Sequence, residues 1–443
     1  MNTDGRATIL GPNLPLPDPP PQGGEGVDWI IQPAKGDGWQ LKALRSNTVS
    51  FLSPQRLTML IFFLQPIAFG AWLPRIPEVQ QALGLGPAGL AVALLGLPCG
   101  TLLTLPFAGP LVGRIGSRMA ILSGFVLYSL AVSLPAFAAD PMMLFVALML
   151  VGSSLSFVEL GLNVQADAVE KGTGSMIMTT SHGFWSVGIM VGSLIGSALA
   201  GLGLAAHWAI PLVAVVVLPL ALVVANVLPV YAVEAPKAEG QRSVWALPSW
   251  ALLGICFFVF GITMTEGAMA DWSAIFLRDA LGAEGGMVGL GYSVFAAMVA
   301  AGRFGGDTLK KRFGAVNTAR ICGTLALVGA ALLYVSPNEV MALVGFGIIG
   351  LGVSVGFPLA VTAAASLGDR AASANVAILS FVALLGFLVG PPMIGFVAEH
   401  FDMRVGIACL VPVLLVSLLL AGRLAVKKTP ALNSPEADIP GVI

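Results

Sequence analysis

The 443-residue chain is 57% hydrophobic and only 10% charged, with 22 Lys and Arg against 23 Asp and Glu and a formal net charge of −1. A soluble domain carries about 25% charged residues, so the composition excludes an ordinary soluble protein, and the balanced charge argues against a nucleic-acid partner. The apolar runs are long and continuous rather than alternating over about ten residues, which predicts an all-α membrane protein and not a transmembrane barrel.

Residues 1–52 hold PNLPLPDPPPQGGEG, a Pro/Gly stretch with too little apolar surface to order itself, and a disordered cytoplasmic tail is expected. Twelve spans follow, at 57–79, 87–112, 118–139, 141–165, 176–203, 208–230, 248–277, 285–308, 316–335, 339–365, 373–398 and 404–424. They divide into a bundle of six helices over 56–230, a cytoplasmic linker over 231–247, a second six-helix bundle over 248–425 and a tail over 426–443. With the N-terminus inside, the loops carrying Arg114, Arg118, Lys171, Lys237, Arg242, Lys310, Lys311, Arg312, Arg320, Arg370, Arg423, Lys427 and Lys428 all fall on the cytoplasmic side. Only Arg75, Arg278 and Arg404 fall opposite. The positive-inside bias therefore predicts both termini in the cytoplasm and an even number of spans. Cys99, Cys256, Cys322 and Cys409 each stand alone in an apolar segment, without CxxC or Cys/His spacing, and read as buried small hydrophobes.

The stretch Pro141–Glu170 carries the strongest functional signal. Glu159 lies well inside a run long enough to cross a bilayer, where an acidic residue is unfavourable by about 2.5–3.5 kcal/mol even on the mildest scale. Glu159, Asn163 and Asp167 are four apart and share one helical stripe, which Gly152 and Ser156 extend. In the fifth span, His182 is read either as a proton relay or as a neutral ring bonded across to the fourth helix. Trp185 is read either as a plate stacked on a sugar face or as a helix-packing ring. In the seventh, Glu266 and Ser273 are seven apart on one face, with Asp271 and Trp272 turned aside. Asp271 is a candidate partner for Arg75 across the halves, closing an outer gate; Arg75 is equally a candidate for an anionic substrate. Asn375 is placed as a cap at the start of the eleventh span, and Tyr292 and Ser293 as cavity linings.

The halves repeat in one register. Leu83-Gly84 pairs with Leu281-Gly282, Arg114-Ile-Gly116 with Arg312-Phe-Gly314, and Gly188 and Gly192 with Gly386 and Gly390, each pair 198 residues apart (281 − 83 = 198). Two parallel six-span halves related about the membrane normal are a transporter arrangement, with substrate near the midplane between them. There is no HExxH, Walker-type loop or GxSxG, so neither an enzyme nor a cofactor is expected, and energy comes from a gradient rather than from ATP on this chain.

Gly109-Pro-Leu-Val-Gly113-Arg114-Ile-Gly116-Ser-Arg118 resembles the loop signature between the second and third helices of the major facilitator superfamily, Gly-x-x-x-Asp-Arg-x-Gly-x-Arg. It departs at Gly113, where the family usually has Asp; Arg303 and Asp307, four apart in the second half, are candidates for a related gating role. Trp72-Leu-Pro-Arg75-Ile-Pro77, Glu159-x-x-x-Asn163, His182-Gly-x-x-Trp185-Ser186-x-Gly188 and Asp271-Trp272-Ser273 resemble the YbjJ-type branch of that superfamily, over residues 56 to about 425. More distantly the chain is similar to fucose:proton symporters, in which a fourth-helix Glu serves substrate binding and proton coupling; Glu159 matches it, while Gln65 is the nearest polar residue to those symporters' first-helix acid. The resemblance implies a monomer in the bacterial inner membrane that moves a small polar solute, sugar- or polyol-like, with protons. The substrate and proton set is Glu159, Asn163, His182, Trp185 and Glu266. The gating set is Arg75, Asp271, Arg114, Arg118, Arg303 and Asp307. The rival readings are a drug or metabolite exporter and a non-transporting sensor on the same fold.

Overall fold

The computed structural model describes residues 28–33, 39–44, 53–229, 248–369 and 371–425. The linker 231–247, the tail 426–443 and Arg370 lie outside the described residues, as does most of the segment expected to be disordered. Within that segment, however, Asp28–Pro33 and Trp39–Leu44 pair as two antiparallel strands, β1 and β2, with Asp28 opposite Leu44 and Pro33 opposite Trp39. In the sequence, Trp29, Ile30 and Ile31 on one run and Trp39 on the other flank Lys35-Gly-Asp-Gly38, a spacing that fits a hairpin pattern.

The helical unit begins at Pro54. Among the described residues, eleven helices are long and apolar enough to cross a membrane. One of them, Gly285–Val335, has 51 residues, about 75 Å at 1.5 Å per residue, against a hydrocarbon core of about 30 Å. It cannot be a single crossing. Gly314 interrupts it with φ 77° and ψ 163°, outside helical geometry, so it is two helices and the expected twelve crossings are present. We name them α1 (Pro54–Ala82), α2 (Pro87–Ile115), α3 (Ser117–Phe137), α4 (Pro141–Thr173), α5 (Met178–Gly201), α6 (Ala206–Val227), α7 (Trp250–Leu281), α8 and α9 (the arms of Gly285–Val335 before and after Gly314), α10 (Glu339–Ala365), α11 (Ala372–His400) and α12 (Met403–Leu424).

The repeat read from the sequence is a repeat of physical parts. Gly116 ends α2 with φ 80° and ψ 157°, the same left-handed, extended corner as Gly314, a conformation disfavoured for any residue with a Cβ. Asp140 caps α4 by accepting the Met143 N–H at 2.8 Å, and Asn338 caps α10 by accepting the Met341 N–H at 3.0 Å, each filling an orphan donor of the first turn. At Gly152 a Cβ would lie 2.0 Å from the Leu97 carbonyl oxygen, and at Gly350 one would lie 2.4 Å from that of Phe295. Each of these features recurs 198 residues on (314 − 116 = 198).

Close backbone approach is the main packing device. Where lipid tails are as apolar as leucine, helices associate through small residues that let main chains touch. α5 does so against α1: a Cβ at Gly188 would sit 2.0 Å from the Phe63 oxygen, and one at Gly192 would sit 2.1 Å from that of Ile67. Both lobes, α1–α6 and α7–α12, are thereby pulled tight. They face each other through α5 against α8 and through the start of α2 against α11.

Gly152→Ala and Gly350→Ala should each destabilise the protein by about 1–3 kcal/mol through overpacking, seen as a lower thermal midpoint in detergent. Gly109→Ala, where nothing lies within 4 Å of the new Cβ, should change stability by no more than about 0.5 kcal/mol. Equal midpoints for all three would show that the close approaches do not hold the lobes.

Candidate substrate cavity between the lobes

A cavity of about 270 Å³ opens between the lobes. Its lining comes from both: Phe69 and Trp72 of α1, Glu159 of α4, Trp185 and Ser186 of α5, then Glu266 and Asp271 of α7, Tyr292 and Arg303 of α8, and Phe387 of α11.

α1 is broken where it passes the cavity. Pro66 has no N–H and interrupts the helix between Leu64 and Ile67. The break leaves the Phe69 N–H to donate to the Tyr128 hydroxyl of α3 at 3.0 Å. Beside it, Gln65 is fully buried, and its Oε1 accepts the Trp185 indole N–H at 2.6 Å. That bond fixes the Trp185 ring at the cavity wall. Across the cavity, Arg303 donates to Ser186 Oγ at 2.7 Å and to Glu266 Oε1 at 3.4 Å, joining α8 to α5 of the opposite lobe and to α7 of its own.

Of the expected substrate and proton residues, Glu159, Trp185 and Glu266 are brought together here. His182 and Asn163 are not among the lining residues. His182 packs edge-on against Phe62 with ring centroids 5.3 Å apart. Asn163 sits about one turn further along α4, and the polar stripe ends in solvent, where Asp167 pairs with Lys171 at 2.7 Å. On α7 the expected faces are exchanged. Asp271 lines the cavity, whereas Ser273 is fully buried with its hydroxyl unpartnered and Trp272 packs against Gly395 of α11. Tyr292 lines the cavity as expected; Ser293 instead donates to Ser193 across the lobes at 2.8 Å.

The gating expectations need more revision. Arg75 does not meet Asp271. It pairs with Glu78 at 2.8 Å and donates to the Leu204 carbonyl, while Glu78 accepts the Ala206 N–H at 2.8 Å, so this cluster ties α1 to the start of α6 within one lobe. Arg303 turns to Glu266 and Ser186 rather than to Asp307, which is exposed like Arg114. Arg118 donates to Asn226 at 3.3 Å, again within one lobe. At the end of the lobes toward Arg278, polar contacts from residues outside the expected set join the close approaches of Gly289 to Pro74 and Gly395 to Pro87. Arg278 of α7 donates to the Pro77 carbonyl at 2.9 Å and to Gln80 Oε1 at 2.7 Å. Glu399 of α11 accepts the Ala88 N–H at 3.0 Å, at the N-terminus of α2, where backbone donors are free and the helix dipole favours an anion. Arg278 had a sequence signal, as one of three basic residues against the positive-inside bias, and Gln65 had one in its place on the first helix; Glu399 and Tyr128 had none beyond being polar. Asn375 does not cap the start of α11: it is fully buried, and its amide donates to the Ala364 carbonyl in the last turn of α10 at 3.1 Å and to Asp369 at 2.8 Å.

The family model of the major facilitator superfamily matches residues 58–384 and again 251–441. The chain belongs to this superfamily, and it is a multi-pass secondary transporter rather than an enzyme. An uncharacterised transporter of this type from Yersinia pestis is 31% identical over 364 residues, covering 82% of this chain and 94% of its own length. The membrane protein MosC of Rhizobium meliloti is 29% identical over 351 residues, covering 76% and 82%. Among solved structures, a bacterial homologue of the human lysosomal transporter Spinster, inward-facing and occupied, superposes with a TM-score of 0.65 at 17% identity, covering 85% of this chain and 98% of its own. The nucleoside transporter NupG gives 0.65 at 13%, covering 85% and 100%, and the transporter FucP in an outward conformation gives 0.59 at 16%, also covering 85% and 100%.

Arg278→Ala combined with Glu399→Gln should open the closed end. Hydrogen bonds to charged groups are worth about 1.5–3 kcal/mol each, and each 1.4 kcal/mol is tenfold in a population. Spin labels at Gln81 and Glu284, both exposed and on opposite lobes, should then show a long-distance population at least about tenfold larger by double electron–electron resonance. An unchanged distance distribution would mean that other contacts hold this end.

Proposed function

We propose that the protein carries a small polar organic solute, sugar- or polyol-like, across the bacterial inner membrane by alternating access, coupled to protons through Glu159. The observation that carries this reading is the placement of carboxylates from both lobes, Glu159 and Glu266, on one cavity whose end near Arg278 and Glu399 is held shut by contacts between the lobes. With the termini placed in the cytoplasm by the distribution of Lys and Arg, that end is the outer one and the conformation is inward-facing.

In this scheme Glu159 exchanges a proton as its surroundings alternate between water and a closed cavity, because a carboxyl group's charge state follows its solvation and neighbouring charges. Glu266 is held by Arg303 and orients the solute. Trp185, locked by Gln65, offers a flat apolar face with which the less polar side of a sugar ring can stack. Similarity in fold to the Escherichia coli fucose:proton symporter FucP and to NupG supports a polar solute. The second reading, an exporter of a more apolar metabolite, is favoured by one feature, the aromatic share of the lining in Phe69, Trp72, Phe295 and Phe387.

The test uses proteoliposomes and a panel of labelled hexoses and inositols. Wild-type uptake should rise under an inwardly directed proton gradient. Glu159→Gln should lose at least about 90% of gradient-driven uptake, equivalent to 1.4 kcal/mol or more, while keeping solute exchange at equal pH. Unaltered net uptake and pH dependence in the variant would remove the coupling role.

A further inference from the structure

The transport reading leaves the charge of the cavity unbalanced. Three carboxyl groups line it, those of Glu159, Glu266 and Asp271, against one cation, Arg303. Arg303 is committed to Glu266 and Ser186. Neither Glu159 nor Asp271 has a hydrogen-bond or ionic partner among the described residues, and no Lys or His lines the cavity. The two uncompensated acids come from opposite lobes, α4 and α7.

When so apolar a cavity closes around its solute and shuts out water, two bare carboxylates become strongly unfavourable unless each is neutralised. The proton assigned to Glu159 accounts for one. Asp271 lies five residues beyond Glu266 along α7, about 7.5 Å at the helical rise, toward the closed end and away from the guanidinium. The same cavity is lined by the rings of Trp72, Trp185 and Tyr292, and aromatic rings attract cations. A neutral polyol would bring no charge to Asp271, and an anion would repel it. We propose that the transported solute bears a protonated amine, with the Asp271 carboxylate as its counter-ion: an amino sugar, an aminocyclitol or another compact amine. The proposal rests on the transport reading and sharpens its substrate class.

The experiment is a thermal-shift comparison of the full chain, purified in detergent, with matched pairs at millimolar concentration: glucosamine and glucose, an aminocyclitol and the corresponding inositol, phenethylamine and phenethyl alcohol, together with sodium chloride against choline chloride. A ligand that binds the folded state raises the melting temperature. The amine of at least one pair should stabilise the wild type with at least tenfold higher apparent affinity than its neutral partner. Asp271→Asn should abolish that preference and Asp271→Glu should retain part of it. Equal stabilisation by both members of every pair would overturn the amine assignment and leave the transport cavity standing. Stabilisation by sodium alone, with no amine effect, would reassign Asp271 to an inorganic cation. If no solute of either kind shifts the wild type, the amine assignment and the sugar- or polyol-like reading fall together. Because the wild-type comparison stands by itself, a variant that fails to fold does not rescue the proposal.

Discussion

A side chain that carries charge at the depth of a bilayer must meet either a counter-charge or water, and the middle of this protein is organised by that requirement. Glu266 meets it with Arg303, while Glu159 and Asp271 meet it by facing a shared cavity. Everything that shapes the cavity follows: the break in α1 at Pro66, the buried amide of Gln65 that holds Trp185, and the hydroxyl of Tyr128 that receives the backbone donor left free by the break. Were these helices packed without a gap, the same acids would face apolar side chains, each unfavourable by about 2.5–3.5 kcal/mol or more.

The scaffold around the cavity is built from contacts available only to small residues. Gly152 against Leu97 and Gly350 against Phe295 bring main chains together in corresponding places of the two lobes, so each lobe is rigid in itself. Between the lobes hydrogen bonds are added to such approaches. Arg278 on Gln80, Glu399 on the first turn of α2, and Ser293 on Ser193 are polar, and they stand beside apolar contacts such as Gly395 against Ala91 and Phe184 edge-on to Phe304.

Much of this was legible in the residues. Hydropathy located the twelve crossings because a membrane span is a property of one uninterrupted stretch, and the shared register of glycines disclosed the duplication because a positive φ, as at Gly116 and Gly314, or a close approach, as at Gly188 and Gly386, disfavours any side chain. Glu159 and Glu266 stood out because acids are rare at that depth. The errors share a cause. Placing Ser273 with Glu266 and turning Asp271 aside assumed that one helical face sees one environment, whereas α7 meets the cavity at two levels, Glu266 and Asp271, and packs Trp272 against α11 just beyond them. Pairing Arg75 with Asp271 used charge complementarity without knowing which helix lay adjacent, and a partner three residues away in Glu78 was nearer. The seal formed by Glu399 could not be read at all, since it joins residues 311 positions apart through a backbone amide that has no signature in sequence.

Arg303 makes its two bonds to groups of different character, and this shapes the energetics of motion. Separating α5 from α8 breaks a bond to a hydroxyl, a loss of about 1.5–3 kcal/mol, yet the guanidinium keeps its carboxylate on α7. No orphaned ion is created by the step. The tether between the lobes can therefore part and re-form on thermal energies, like a latch whose spring stays anchored on one door.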